Sequence, residues 1–465
     1  MKKIIFTALF MALTAITFAN NIQLANVSIN GQNTVSQFTL VNFDVSWENS
    51  WRTITNENNY DGAWIFVKFR KKTSSLWQHA TIAQLGFTTP AGSVIQPSLD
   101  GKGVWIYHVL PGADFTGNVN YAGAKLQWNY GADGVLNTDS VEVRVFALEM
   151  VYIPVGAFKV GSGGTETNHF VDGSSNNPYN VASEAAITVG VTAGNLNYTS
   201  GSGLGGDQAG PIPAAFPKGF NAYWIMKYEA SQQQYVDFLN NLDLARASNR
   251  YGPVITGTHP NLTVPSPEKA MNLLNILDGL AFADWAGLRP FTELEYEKAC
   301  RGYNQAPLPN EFVWGSTTAV ATTAITGGGT ASETASNGNA NFASGTNSVL
   351  RCGIYATASS TRQSSGGSYY GVMDMAGNVS EYPISVGSPF GRAFTATNGD
   401  GTLDNAGDAN TATWPTASAG FAARGGYYGD VVARLQTSDR TQGIYSGAPT
   451  TRSQTIGIRL ARTAE

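Results

Sequence analysis

The sequence predicts an α+β protein of two parts, an antiparallel β-sandwich over residues 20–147 and a loop-rich α+β domain over residues 148–465. Segments rich in β-branched and aromatic residues fill the first part, whereas short helical patterns occur only in the second. A chain of 465 residues is also too long for one ordinary hydrophobic core. We therefore expect two domains.

The N-terminus has the three parts of a secretory signal peptide. Lys2 and Lys3 form a basic end, residues 4–16 an apolar core, and the residues up to Ala19 a small-x-small cleavage site. We predict a signal peptide over residues 1–19, because the apolar run is short for the alternative, a membrane anchor. The mature chain is expected in the periplasm, on the cell surface or outside the cell, without membrane insertion.

The net charge argues against one class of partner. Only 13% of the residues are charged and the formal net charge is −5. Nucleic-acid-binding proteins carry a concentrated basic surface. We therefore expect no nucleic-acid partner.

The strands of the first part are predicted from three segments. Val141, Val143 and Val145 in the last of them alternate with Glu142 and Arg144, which predicts a strand with one buried and one solvated face. Clusters of turn residues separate the segments. The three segments are AWIFVKFR (63–70), GVWIYHVL (103–110) and SVEVRVFALEM (140–150).

Three helices are predicted in the second part. In the third, Thr292 and Glu295 form a capping box and Gly302 ends the helix. Two long excursions rich in Gly, Ser, Thr and Asn, residues 161–210 and 317–345, are predicted as loops. The helical segments are YEASQQQYVDFLNNL (228–242), NILDGLAFADWAG (275–287) and TELEYEKACRG (292–302).

Six sequence blocks carry a family resemblance. They are MVYIPVGAFKVGS (150–162), YWIMKYEASQQQYVDFLN (223–240), WAGLRPFTELEYEKACRG (285–302), YYGVMDMAGNVSEY (369–382), ARGGYY (423–428) and GIRLAR (457–462). In this order they resemble the formylglycine-generating enzyme, or sulfatase-modifying factor (FGE-sulfatase), family. The resemblance implies a C-type-lectin-like α+β fold. The family includes copper oxidases, iron-dependent sulfoxide synthases and binding proteins, so the fold alone does not define the activity.

The copper chemistry of the family is expected to be absent. The oxidases hold copper through two cysteines, and the resemblance places them six and eleven residues after Arg424, at Asp430 and Leu435. Copper(I) is soft and prefers thiolate ligands, and leucine cannot bind a metal. Iron is not expected either, since the four histidines are widely separated in the sequence: His79, His108, His169 and His259.

The two cysteines, Cys300 and Cys352, leave two possibilities open. In an exported protein an even pair predicts a disulfide. The alternative is two buried, reduced thiols that pack as small apolar groups.

A structural Ca²⁺ is the one cofactor that the resemblance implies. It would be held by the side chains of Asp374 and Glu381 and by backbone oxygens near Gly377 and Val379, and hard oxygen ligands suit calcium. A second site of the family corresponds to Asn341 and Phe342. The alternative is that the polar side chains, Asn378 among them, only hydrogen-bond the backbone of their loop.

These observations predict a non-catalytic protein, a pseudoenzyme that keeps the family scaffold. Ser380 and Tyr382 replace the usual tryptophans, and Tyr427–Tyr428 replace Ser-Trp, which suits a recognition surface. We expect an exported binding or structural accessory protein of the bacterial cell envelope with a protein or glycan partner. Related domains occur in the gliding and secretion machinery of Bacteroidetes. The alternative is a metal-dependent oxidase, or another enzyme, with non-standard ligands.

Overall fold

A computed structural model describes residues 21–110, 112–199 and 203–465, so the predicted signal peptide lies outside the described residues. The α+β class is confirmed: short helices and many antiparallel strands share one chain. The first part contributes β1 (Gln23–Asn33), β2 (Phe38–Arg52), β3 (Asp61–Lys71), β4 (Gln78–His79), β5 (Ser93–Pro97), β6 (Val104–His108), β7 (Phe115–Trp128) and β8 (Val141–Ile153).

Two antiparallel sheets pack face to face in this first part. A three-stranded sheet has the order β1-β2-β7, and the facing sheet contains β8, β3, β6 and β5 in that order, with β4 paired to β3. Alternate residues of β2 and β3, such as Phe43, Trp47, Ile65 and Val67, point into the layer between them and are buried. The predicted antiparallel β-sandwich is therefore present.

The second part adds the remaining elements. The strands are β9 (Phe158–Val160), β10 (Phe170–Asp172), β11 (Tyr179–Val181), β12 (Leu196–Tyr198), β13 (Tyr223–Met226), β14 (Thr256–Thr258), β15 (Asn261–Thr263), β16 (Ile325–Thr326), β17 (Thr334–Ala335) and β18 (Ala461–Thr463). The helices are α1 (Gln232–Leu239), α2 (Leu244–Ser248), α3 (Ile276–Trp285), α4 (Glu293–Arg301) and α5 (Pro389–Arg392), with two 3₁₀ turns at Ser418–Gly420 and Val432–Leu435.

One sheet is common to both parts. Strand β13 pairs with the end of β8, and β18 pairs with β13, which extends the sandwich sheet to the order β18-β13-β8-β3-β6-β5. The predicted boundary between residues 147 and 148 therefore lies within β8, and the backbone crosses it in regular strand conformation. A buried Lys227 bonds Asp61 of the first part at 3.0 Å and Glu149 at 3.1 Å, which ties the two parts together.

The helices cover the second face of this shared sheet. Trp105 of β6 stacks on Trp224 of β13 with ring centroids 4.1 Å apart, and Trp64 donates a hydrogen bond to the carbonyl oxygen of Ala286. Part of the face of β8 that the sequence predicts to be solvated is covered by the helices, because Phe146 packs against Trp285 of α3. Glu142 and Arg144, which define the predicted solvated face, are partly exposed, and packing on α3 covers the same face from Phe146 onward.

Local sequence determines where the main helices begin. Ser231 with Gln234, Asn275 with Asp278, and Thr292 with Glu295 each form a capping box. The predicted capping box of α4 is confirmed. Gly302 follows α4 with φ of 96°, a conformation that glycine adopts without strain. Within the described part of the chain, we find no helix with the length and apolar character needed to cross a membrane.

Candidate functional site

The R-G-G block lies over a buried layer of charges. Arg424 donates from Nη1 to Glu293 Oε1 at 3.0 Å and from Nη2 to Glu297 Oε1 at 2.8 Å, and all three side chains are fully buried. Arg440 also bonds Glu293, at 2.8 Å. These pairs hold residues 424 and 440 against α4, so the segment between them has to form a loop above the helix.

The glycines of the block allow close packing. Gly425 has φ of 79°, and a Cβ there would lie 2.5 Å from Glu381 Oε2 and 2.7 Å from the carbonyl oxygen of Met375. Only glycine fits this position. The block is therefore architectural, and it places the following residues at the mouth of a cleft.

A polar cleft of about 90 Å³ lies beside this loop. Its walls carry hydroxyl, carboxylate and guanidinium groups. The lining residues that matter for its chemistry are Ser380, Tyr382, Tyr427, Asp430, Arg434 and Tyr445. Sequence reasoning found the first four, whereas Arg434 and Tyr445 belong to no recognised block.

Asp430 occupies one of the two positions at which the resemblance implies a copper ligand. Its Oδ2 accepts a hydrogen bond from Tyr427 N at 3.1 Å, and its carboxylate lines the cleft. Burial raises the pKa of Asp430, while the backbone hydrogen bond and Arg434 act in the opposite direction. An oxygen ligand of this kind does not replace a thiolate for copper(I).

Leu435 occupies the other position and is buried. Its exposed fraction is 0%, and it packs in the same apolar cluster as Tyr296, Cys300 and Met375. The side chain therefore faces away from the cleft and contributes packing. Nothing at this position can bind a metal.

Aromatic groups form much of the cleft. The Tyr382 and Tyr445 rings are 4.9 Å apart and nearly perpendicular, and the Tyr382 hydroxyl lies 3.2 Å from Thr455 Oγ1. Tyr427 packs edge-on against Tyr428 at 5.3 Å. Such rings offer rigid apolar faces with a polar edge, as recognition sites do.

The predicted calcium residues do converge in space. Asp374, Gly377 and Asn378 all have positive φ angles, of 56°, 82° and 63°, and form a tight loop. Asn378 N donates to the carbonyl oxygen of Asn341 at 2.9 Å, so the two predicted sites adjoin each other. Phe342 is a buried side chain of the neighbouring apolar cluster.

The side chains of this loop also make hydrogen bonds to nearby backbone and side-chain groups, as the alternative to a calcium site predicts. Asp374 Oδ2 accepts from Gly353 N at 2.5 Å, and Glu381 Oε1 accepts from Arg459 Nε at 3.1 Å. Glu229, which was not among the predicted site residues, accepts from Val379 N at 3.1 Å and from the Asn378 amide at 2.6 Å. Its position two residues beyond Lys227 in the KYEAS block was the only available signal.

The three buried carboxylates of Glu229, Asp374 and Glu381 therefore lie near the buried guanidinium of Arg459, which bonds Glu381, and Arg351 is a second cation that acts on Asp374. Burial raises the pKa of Glu381 to about 7, with Arg459 opposing it. Burial also raises the pKa values of Glu229 and Asp374, and the proximity of Asp374 and Glu381 raises that of Glu229 further. The cluster carries more negative than positive groups, and Glu381 Oε2 is buried without a hydrogen-bond partner.

This donor set is compatible with calcium and unsuited to softer metals. Carboxylate and carbonyl oxygens are the ligands that calcium prefers. Among the described residues, no three His, Cys, Asp or Glu side chains are close enough to hold one metal ion. A cation here would therefore depend on the backbone oxygens of Gly377 and Val379 together with Asp374 and Glu381.

The predicted disulfide is absent, and this prediction was wrong. Cys300 and Cys352 are both free and buried, and they belong to two different apolar clusters. Cys352 Sγ instead donates to the carbonyl oxygen of Glu229 at 3.4 Å. Burial raises the pKa of both thiols, so neither is a reactive nucleophile.

The fold and the cleft define a loop-rich α+β domain in which the R-G-G block holds the backbone of the surrounding loops. The chain belongs to the FGE-sulfatase family: the model of the sulfatase-modifying factor enzyme 1-like domain matches residues 142–464. This match includes nearly all of β8, the strand that the two parts share. In a comparison with curated proteins, none matches this chain.

Proposed function

We propose that this protein is an exported, non-catalytic binding or structural accessory protein of the bacterial cell envelope. The observation that carries the proposal is the pair of residues at the copper positions. Leu435 is buried in the core and Asp430 offers only oxygen. A redox reaction that depends on a copper–thiolate centre has no ligands here.

The cleft supports a recognition role. Tyr382, Tyr427 and Tyr445 supply aromatic faces and hydroxyl groups, and Asp430 and Arg434 supply one charge of each sign. At about 90 Å³ the cavity admits one small group, such as a single side chain or one edge of a sugar ring. The proposed partner is therefore a protein or a glycan that inserts such a group.

The place of action follows from the predicted signal peptide and from the composition. Export to the periplasm or the cell surface fits a weakly charged chain rich in Gly, Ser, Thr and Asn. A link to secretion or gliding machinery of Bacteroidetes belongs to the same proposal and rests on the family resemblance alone.

We also propose that the loop of residues 374–381 binds a structural Ca²⁺. Two observations support it: the excess of buried carboxylates over guanidinium groups, and the partnerless Glu381 Oε2. In this interpretation the ion stabilises the loop on which Ser380 and Tyr382 reach the cleft.

The test separates binding from redox chemistry. The purified, exported protein is titrated with copper(I) under reducing conditions, and we expect no stoichiometric copper. Stoichiometric copper that is lost in Asp430→Ala would overturn the proposal. Affinity capture from the native cells should then recover a partner with the wild type and lose it with Tyr427→Ala, while Tyr251→Ala, a half-buried tyrosine outside the cleft, retains it.

A further inference from the structure

The shared sheet has an open edge along most of β8. On one side β8 pairs with β3 over Val141–Val151, whereas on the other side β13 pairs only with Met150–Ile153. The last hydrogen bond on the β13 side runs from Lys227 N to the carbonyl oxygen of Glu149, where the ladder ends. No described strand pairs with the β13 side of residues 141–148.

The register identifies the groups on this edge. In an antiparallel ladder, the N–H and C=O groups of successive residues point alternately to the two neighbouring strands. Tyr152 N bonds Tyr60 on the β3 side and Glu149 O bonds Lys227 on the β13 side, so odd-numbered residues face the open edge. The backbone groups of Val143, Val145 and Ala147 therefore have no strand partner among the described residues.

That space is a groove with two walls. Its volume is about 790 Å³. Leu24 and Val27 of β1, with Ile22 just before it, line one wall, and α1 with Phe282 and Trp285 of α3 lines the other. A strand placed beside β8 would direct alternate side chains toward these two walls.

The charges of the groove are unequal. Asp237 and Glu268 are its two carboxylates, and Arg144 is the one cation among its described lining residues. Arg144 is already engaged, because Nη1 donates to the carbonyl oxygen of Asn240 at 3.1 Å and the guanidinium lies 4.6 Å from the centre of the Trp77 ring. With two carboxylates and one guanidinium among these residues, the formal charge of the groove lining is −1.

We infer that this groove binds an extended segment of another polypeptide, which adds as a strand to the open edge of β8. Unpaired backbone donors and acceptors in a row select an extended peptide over a sugar or a small molecule. The span of residues 143–148 accommodates about six residues at ~3.4 Å each. The segment has apolar residues at alternate positions and a Lys or Arg that pairs with Asp237 or Glu268. The inference concerns a different surface from the cleft and does not depend on it.

Amide hydrogen exchange of the full mature protein gives the first test. The amides of residues 142, 144 and 146 are bonded to β3, so we expect them to exchange slowly, while those of residues 143, 145 and 147 exchange rapidly. Equal protection of both sets would overturn the inference, because the edge would then already be paired.

The second test adds a probe, the peptide Lys-Thr-Val-Thr-Val-Thr-Val-Lys. At saturation we expect exchange at residues 143, 145 and 147 to slow by at least roughly tenfold. The same peptide with an N-methyl group on every residue has no backbone N–H on either edge and cannot donate to β8, so it should have no effect. Unchanged exchange with the first peptide, or equal binding of both, would overturn strand addition.

A matched pair of variants tests whether the peptide binds in the groove. Val27 lines the groove and is 41% exposed, whereas Val35 lies outside it and is 92% exposed. Val27→Asp should weaken peptide binding at least about tenfold, since it puts a charge on an apolar wall, and Val35→Asp should leave it unchanged. Equal effects of the two variants would contradict the assignment.

Discussion

Arg424 and Glu297 form a fully buried ion pair, with Nη2 and Oε1 2.8 Å apart, and join the R-G-G block to helix α4. Burial alone would raise the pKa of Glu297, but Arg424 and Arg301 outweigh it and lower the pKa. The same guanidinium bonds Glu293, so Arg424 bridges two buried carboxylates that Arg440 and Arg301 also bond. The shape of the cleft depends on this contact, because the loop that carries Asp430 begins at Arg424.

Replacing Arg424 with Met should therefore be strongly destabilising. The change removes a cation that bonds the buried carboxylates of Glu293 and Glu297. The loss should lower the free energy of unfolding by about 3–5 kcal/mol. Urea denaturation measures it. The control is Arg434→Met: that side chain is partly exposed and lies 3.6 Å from Asp439, so its loss should cost less than about 1 kcal/mol. Similar losses for both variants would contradict the structural role of Arg424.

Local patterns in the sequence predicted the elements, whereas long-range contacts produced the site. The capping box of Thr292 and Glu295 involves neighbours three residues apart, so propensity and spacing were enough to predict it. The pairing of β13 with β8 joins residues about 75 positions apart, and the backbone N–H and C=O groups of either strand could pair with many other strands.

The candidate site shows the same division. Asp430 and Leu435 could be assigned from their distance to the R-G-G block, and the structure gives the reason for each residue type. Glu229 and Arg459 lie far from residues 374–381 in sequence and reach them only through the fold. The disulfide prediction failed because an even number of cysteines carries no information about their distance.

The two thiols provide a direct prediction. Cys300 and Cys352 are buried and burial raises the pKa of both, so Ellman's reagent should detect no thiol in the native protein. Unfolding in denaturant without reductant should release two reactive thiols per chain. If none appeared without reductant, the cysteines would be joined, contrary to the structure.

Removing calcium should lower the thermal stability. A ligand that binds only the folded state stabilises it by RT ln(1 + [L]/Kd), about 4 kcal/mol at a thousandfold excess over Kd. We expect EGTA to reduce the Tm by several degrees and added Ca²⁺ to restore it. Asp374→Ala should abolish this response, and Asp133→Ala should retain it, because Asp133 bonds Thr81 and Trp128 of the β-sandwich and not the loop. A Tm that is insensitive to EGTA would refute the calcium proposal.

The buried Glu381 should make stability depend on pH. Burial raises its pKa from the ordinary value of 4.5 to about 7 in the folded protein, so between these values the folded state binds more protons than the unfolded state. The contribution of Glu381 to the stability of the folded state is therefore complete below about pH 4.5 and is lost as the pH rises through 7.

As the pH rises through this window, the titration of Glu381 should lower the free energy of unfolding by up to about 3 kcal/mol. Chemical denaturation at pH 5 and pH 8, in EGTA so that no cation competes with the proton, measures the difference. Glu381→Gln carries no titrating proton and should remove most of it, while Glu142→Gln, a half-exposed carboxylate on β8, should not. If Glu381→Gln kept the full pH dependence, the titrating group would lie elsewhere, and Glu149, whose pKa burial also raises to about 7, would be the next to replace.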